Sequence, residues 1–157
     1  MPSIAFGVDV GLARVGVAVS DPSGILATPV MTLRRDAKKN SDRRMLLRMI
    51  SDRGVEEVYI GEPKSLAGNT TDSTRMARDY AIALAEEAGA AGIEVEIFLV
   101  DERLSTVHAH RALHASGRKM QDHRQVVDQV AATEILQQVL EMRRNNVRIQ
   151  AQRVVLK

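Results

Sequence analysis

IAFGVDVGLARVGVAVSDPSGILATPVMTL (residues 4–33) reads as three strands joined by two short turns. Residues 4–10 form an apolar run that suits a buried strand, Gly11 opens a turn, and residues 14–20 make the second strand. Asp21-Pro22-Ser23-Gly24 is strong turn chemistry. Residues 25–33 follow as a third strand, with Pro29 pointing to an edge position. Strands joined this tightly must pair antiparallel.

Beyond residue 33 the pattern changes from period two to helical. Met45, Leu46, Met49 and Ile50 predict a helix over 37–53, stopped by Gly54. VEEVYIG (55–61) is a fourth strand, followed by a loop and an Ala-rich helix over 72–88 capped by Thr71 or Asp72. VEIFLV (95–100) is a fifth strand; helices are then expected from Ser105 to about Ser116 and from about 124 to 144. Helical crossovers make strands four and five parallel to their neighbours. The expectation is an α/β fold with a five-stranded mixed sheet, antiparallel in strands one to three and parallel in four and five, flanked by helices. Residues 1–144 form one domain, and 145–157 a basic C-terminal tail whose RVVLK end is strand-like without a clear partner.

Composition narrows the function classes. The chain has 157 residues, 45% hydrophobic and 27% charged, an ordinary globular balance. It has no Cys, which excludes disulfides and thiolate metal sites. Aromatics are only 3%, so a single-strand binder built on stacked rings is not expected. The N-terminus lacks the charged head and long apolar run of a signal peptide, and no window suits a membrane span; a cytoplasmic protein without membrane partners is expected. Net charge is only +2, but the cations cluster in two runs: Arg34, Arg35, Lys38, Lys39, Arg43 and Arg44, then Arg143, Arg144, Arg148, Arg153 and Lys157. Either run alone reads as a solvated surface.

The acids carry the chemistry. In open α/β sheets, ligand sites gather beyond the carboxyl ends of the parallel strands. Asp9 lies near the end of strand one, Glu62 after strand four, and Asp101 and Glu102 after strand five. Asp128 shares a helical stripe with Ala132, Ile135 and Val139. Carboxylates at the ends of apolar runs are costly to bury without cations or hydrogen bonds. Hard divalent cations, Mg²⁺ or Mn²⁺, take oxygen ligands and bring the chemistry of phosphodiester cleavage. Singly, each acid has an ordinary role: Asp9 a turn residue, Asp101 a loop cap, Asp128 an N-terminal helix acid, Glu62 a solvent-facing group. Their joint placement at one end of one sheet favours a site.

Four segments then carry a family resemblance: GVDVGLARVGVAVSDPSGILATPV (7–30), IGEPKSLAGN (60–69), DERLSTVHAHRAL (101–113) and VDQVAATEILQQVL (127–140). In order and nearly end to end to about residue 143, they resemble the YqgF/RuvX family of Holliday junction resolvase-like proteins and pre-16S rRNA nucleases. The resemblance implies an RNase H-like fold, metal-dependent cleavage and maturation of the 5′ end of 16S rRNA. Its acidic set maps onto Asp9, Glu102 and Asp128 as catalytic and metal-binding residues, with Asp101 as a support. Arg14 and Arg103 lie in the same motifs as phosphate or orienting groups, and a salt bridge to a neighbouring acid is an equal reading of Arg14. At position 62 many relatives carry an apolar residue; Glu62 is either a fourth acid or an exposed one.

Other features follow from position. Lys64 and Asn69, in the loop after strand four, are candidate nucleic-acid contacts, with the next helix N-terminus adding positive potential. His110 and His114 stand four apart but lack a third zinc ligand. The leading expectation is an endonuclease on precursor rRNA, acting as a monomer or homodimer. Branched-DNA cleavage, a non-catalytic RNA-binding assembly factor, and a kinase-like nucleotide hydrolase (which needs two such domains) are the competing classes.

Overall fold

Six strands and three helices occur among the described residues, in the order β1 (Ala5–Val10), β2 (Arg14–Ser20), β3 (Ala27–Arg34), α1 (Ser41–Arg53), β4 (Glu57–Glu62), α2 (Asp72–Ala90), β5 (Glu96–Asp101), α3 (Met120–Arg144) and β6 (Ala151–Arg153). The computed structural model describes residues 3–101, 120–145 and 151–155, with side chains of α3 from residue 127 onward. The helix expected between Ser105 and Ser116, with His110 and His114, lies outside the described residues.

One sheet holds all the strands in the order β3-β2-β1-β4-β5-β6. The first three form the expected antiparallel meander, and β1-β4 and β4-β5 are parallel. Pro29 sits on the edge strand at a register shift between Val17 and Ala18, where its missing N–H breaks no ladder. The sheet has six strands rather than five. The tail returns along β5, pairing Phe98 with Arg153 and Val100 with Ala151. This strand was illegible in the sequence because Ala-Gln-Arg has no apolar alternation; it joins an edge through its backbone.

Side-chain alternation along β1 sorts the two faces. Phe6, Val8 and Val10 point to the face covered by α1 and α2, where Leu46, Ile50, Tyr80 and Leu84 complete the larger core. Ala5 points to the other face, which packs on Ala132, Leu136, Val139 and Leu140 of α3. Helix α3 comes closest to the sheet over Gly7 and Gly16, where no side chain would fit. A Cβ at Gly7 would stand 2.5 Å from the Ala132 carbonyl oxygen and 2.7 Å from Leu136 Cβ. Two glycines, on β1 and β2, therefore set how deeply the helix is seated.

Helix α1 begins at Ser41, later than the periodicity suggests. The Asp36 carboxylate accepts the backbone N–H groups of Lys38 and Lys39 and the Ser41 hydroxyl, which holds residues 37–40 in turns. At the other end of the sheet the β2–β3 connection is pinned to α3: Gln137 accepts the Ala27 N–H and donates to the Ile25 carbonyl.

Candidate active site

Two of the acids singled out in the sequence meet on the α3 face. Asp9 follows Ala5 and Gly7 in the alternation of β1, so its side chain shares their face, and it is only 4% exposed. Opposite it in the antiparallel pair stands Gly16. A Cβ at Gly16 would lie 2.1 Å from the Asp128 carbonyl oxygen and 3.1 Å from Asp128 Cβ. Opposed residues in such a pair have Cβ atoms roughly 5 Å apart, so the Cβ atoms of Asp9 and Asp128 are no more than about 8 Å apart. Two acids 119 positions apart in the chain thus come near each other on the α3 face, close to the end of β1.

Arg14 begins β2 at this same end, and its Nε donates to Asp128 Oδ2 at 3.0 Å. This is the expected ion pair to a neighbouring acid. The contact fixes the Asp128 side chain and places a cation beside the carboxylates, where like charges otherwise repel.

Glu62 and Asp101 face the other way. On β4, Tyr59 points to α3 while Val58 and Ile60 point to α1 and α2, so Glu62 takes the α1/α2 face. It is 5% exposed and held between Arg78 Nε at 2.6 Å and Lys64 Nζ at 3.3 Å. A solvent-facing Glu62 is therefore corrected to a buried, doubly ion-paired one, and a Glu62 joining Asp9 is corrected to one directed away from it. Asp101 pairs with Glu62 in register and shares its face. Glu102 and Arg103, the other expected members of the site, lie outside the described residues.

The loop after β4 is internally bonded rather than open. Ser65 N–H donates to the Asn69 carbonyl, Gly68 N–H to the Ser65 carbonyl, and Asn69 N–H to Ser65 Oγ. Three backbone amides are therefore spent within the loop and are not open to phosphate. Lys64 is committed to Glu62, while the Asn69 side chain remains at the surface. Thr71 and Thr74 form a reciprocal cap at the start of α2, and Thr74 also donates to the Pro63 carbonyl, tying loop to helix.

The first basic run divides in two. Arg35 and Arg43 are structural: Arg35 reaches the Gly11 carbonyl and Asp42, Arg43 pairs with Glu87, and both lie against the Tyr80 ring. Arg34, Lys38, Lys39 and Arg44 are exposed: Arg34 ends β3 opposite Arg14 at the carboxylate end, Lys38 and Lys39 lie in the turn that follows, and Arg44 lies in α1. In the second run, Arg143 is likewise structural, donating to Glu57 Oε2 at 2.5 Å and lying over Tyr59. Burial alone would raise the Glu57 carboxyl, but the hydrogen bond and charge of Arg143, with further bonds from Tyr59 and Ser3, together hold it below its ordinary value. Sequence reading missed Gly16 as the seat of Asp128. The signal was available in the glycine's position on a strand facing an apolar helix.

Among the described residues no group of three or more His, Asp or Glu side chains stands ready to hold a metal ion. What is present is a pair of hard oxygen donors, one of them buried, and that donor chemistry fits a hard divalent cation. Two clefts, one lined by Glu56, Gly89, Glu96 and Arg153 and the other by Ser23, Ile25, Leu140 and Arg143, open at the opposite end of the sheet. Neither includes Asp9 or Asp128.

Comparison with known proteins identifies the family. Residues 3–142 match the family described as RuvX, Holliday junction resolvase. The chain belongs to the RuvX family. Curated relatives named "Putative pre-16S rRNA nuclease" include one from Frankia casuarinae, 43% identical over 143 residues, which are 91% of this chain and 69% of that protein. Another, from Clavibacter sepedonicus, is 47% identical over 137 residues, 87% of this chain and 82% of the relative. Among solved structures, Thermus thermophilus RuvC in complex with a Holliday junction substrate superposes with a TM-score of 0.56 at 13% identity, covering 97% of this chain and 99% of that one. That likeness establishes the RNase H-like fold. RuvX membership places the chain among phosphodiester-cleaving nucleases, and the basic tail reaches past the matched region.

Proposed function

We propose that this protein is a divalent-metal-dependent endonuclease that processes the 5′ end of precursor 16S rRNA in the cytoplasm. The observation that carries the reading is the seating of Asp128 over Gly16, directly beside Asp9. Asp9, Asp128 and Glu102 are proposed as the metal-holding and catalytic acids. Support for Glu102 comes from the sequence motif and from its place immediately after β5, whose side chains alternate between the two faces. When bound, the ions supply an activated water and offset charge on the leaving oxygen.

The chain's own residues do the rest. Asp9 presents a buried carboxylate from a rigid central strand, and α3 delivers Asp128 at fixed depth because Gly7 and Gly16 leave no slack beneath it. Arg14 holds one oxygen of Asp128 and so orients the other. Asp101 is proposed as a support of the loop that follows it, and Arg103 and the Asn69 side chain as substrate contacts. Exposed Arg34, Lys38, Lys39 and Arg44 offer a line of cations to the phosphate backbone, leading away from the carboxylates. Relatives named for pre-16S rRNA support RNA as substrate.

The test is incubation of pure protein and its Asp128→Asn variant with precursor rRNA and with a four-way DNA junction, each with and without Mn²⁺. Metal-dependent cutting of the RNA by wild type alone is the expected result. Cutting of the junction alone would transfer the reading to branched DNA, and binding of precursor RNA without cleavage would replace the enzyme with an assembly factor.

A further inference from the structure

We propose that Arg35 is a positioning residue for the ion site, fastening the turn between Asp9 and Arg14 to a buried anchor on the far face of the sheet. The inference rests on the reading of Asp9 and Asp128 as the metal-holding pair. Its own observation is a set of contacts that all converge on residues 11–14.

That turn is short and carries both halves of the site: Asp9 two residues before Gly11, and Arg14, which holds Asp128, directly after Ala13. Its closing bond runs from Gly11 N–H to the Arg14 carbonyl at 2.8 Å. Residue 35 takes two further carbonyls of the turn. The Arg35 N–H donates to Ala13 at 2.8 Å, and its Nη1 donates to Gly11 at 3.0 Å. A shift of the turn large enough to change the Asp9–Asp128 spacing would break both contacts.

The guanidinium is itself held on its other side. Arg35 Nε lies 3.6 Å from Asp42 Oδ2, and the group sits 5.1 Å from the centre of the Tyr80 ring. Asp42 is 3% exposed and accepts the Tyr80 hydroxyl at 3.1 Å and the Asp36 N–H at 3.2 Å. Burial and the Asp42 charge push the Tyr80 hydroxyl well above its ordinary value, so it stays a donor to Asp42. The anchor is therefore fixed by α1 and α2, and Arg35 transmits its position to the site. With its fork committed at both ends, Arg35 is separated from its exposed neighbour Arg34, which is left to solvent and substrate. Groups that orient metal ligands from behind typically change ion affinity about 10–100-fold when removed.

Three readouts test this on the full chain: Mn²⁺ affinity by electron paramagnetic resonance, amide exchange of Gly11, and cleavage. For Arg35→Gln we expect Mn²⁺ affinity to fall about tenfold or more. Gly11 exchange should accelerate while the amides of Leu47 and Leu84 keep their protection. Arg35→Lys, which keeps the charge but lacks the planar fork, should fall between wild type and Arg35→Gln. Arg48→Gln, at an exposed pair with Asp52, should leave all three readouts unchanged. Wild-type Mn²⁺ affinity in Arg35→Gln overturns the proposal; should that variant fail to fold, wild-type affinity in Arg35→Lys overturns it equally. Undiminished Mn²⁺ binding in Asp9→Asn would instead remove the reading of the site, and with it any positioning role for Arg35, while Gly11 exchange would separately report whether Arg35 holds the turn.

Discussion

Asp9 and Glu62 end neighbouring strands of one sheet, yet they point to opposite faces, and that difference separates their chemistry. Asp9 has Asp128 beside it, whereas Glu62 lies between two cations, Arg78 and Lys64. Asp9→Asn, Asp128→Asn and Glu102→Gln should each lower cleavage by roughly 100-fold or more, the scale of losing one preorganised charged group, with thermal unfolding little changed. Full activity in any one of them, measured on precursor rRNA, would remove that residue from the site. Glu62→Gln should behave in the reverse way, retaining cleavage within about threefold while losing about 1–3 kcal/mol of stability in denaturant melts, because it leaves Arg78 and Lys64 without their carboxylate. Loss of cleavage without loss of stability there would show that Glu62 reaches the reaction after all. The positions of Asp9 and Asp128 were legible in the sequence, from a strand end and from an acid on an apolar helical stripe. The direction of Glu62 was not. Val58, Tyr59 and Ile60 are all buried because β4 is covered on both faces, and a continuous apolar run gives no period from which to read sides.

Helix α3 owes its place to glycine, and this makes the site sensitive to a change that touches no acid. Gly16→Ala would press a methyl group into the Asp128 backbone, so α3 must lift or tilt. The expected cost is about 1–3 kcal/mol, together with a loss of cleavage larger than a comparable overpacking change elsewhere would cause. Wild-type activity in Gly16→Ala would mean that the depth of α3 is not what sets the Asp9–Asp128 spacing. The start of α1 carries a pH signature. Hydrogen bonds from the Ser41 hydroxyl and the Lys39 N–H lower the Asp36 carboxyl to about 2. Its folded value lies below the unfolded one, so its contribution is complete above pH ~4, the range of an unperturbed Asp, and is lost as pH falls toward 2. Carbon-detected titration should give a midpoint near 2 for Asp36, and a midpoint near 4 would mean the turn over 37–40 is not held this way. The same bonds explain why a helical period visible from residue 37 yields a helix only from Ser41. Local side-chain acceptors outcompete the first turn, and hydrophobic spacing does not register them. The edge strand β6 escaped for a related reason, since its backbone pairing leaves no mark on side-chain polarity.

Charge is organised across the protein in a way the net value of +2 conceals. Cations fixed in ion pairs (Arg35, Arg43, Arg78, Arg143) stabilise the fold, while Arg34, Lys38, Lys39 and Arg44 remain exposed in the segment that leaves the carboxylate end of β3. Precursor RNA affinity should therefore fall with salt, and Lys38→Gln with Lys39→Gln should reduce the slope of log affinity against log salt by about 1 for each cation removed. An unchanged slope in filter-binding titrations would place the RNA on another face. The overall architecture was legible because turn chemistry in residues 4–33 and alternating helices and strands after it leave few topologies. Which cations were structural was not, because ion pairing depends on partners such as Glu87 and Glu57 that lie far away in sequence. The catalytic expectations depend on Asp9 and Asp128 gripping the same ions. The most direct measurement is anomalous diffraction from crystals of the protein grown with Mn²⁺. The expected result is a peak on the α3 face within coordination distance of both carboxylates; a peak bound elsewhere, or by only one of the two, would contradict the shared site.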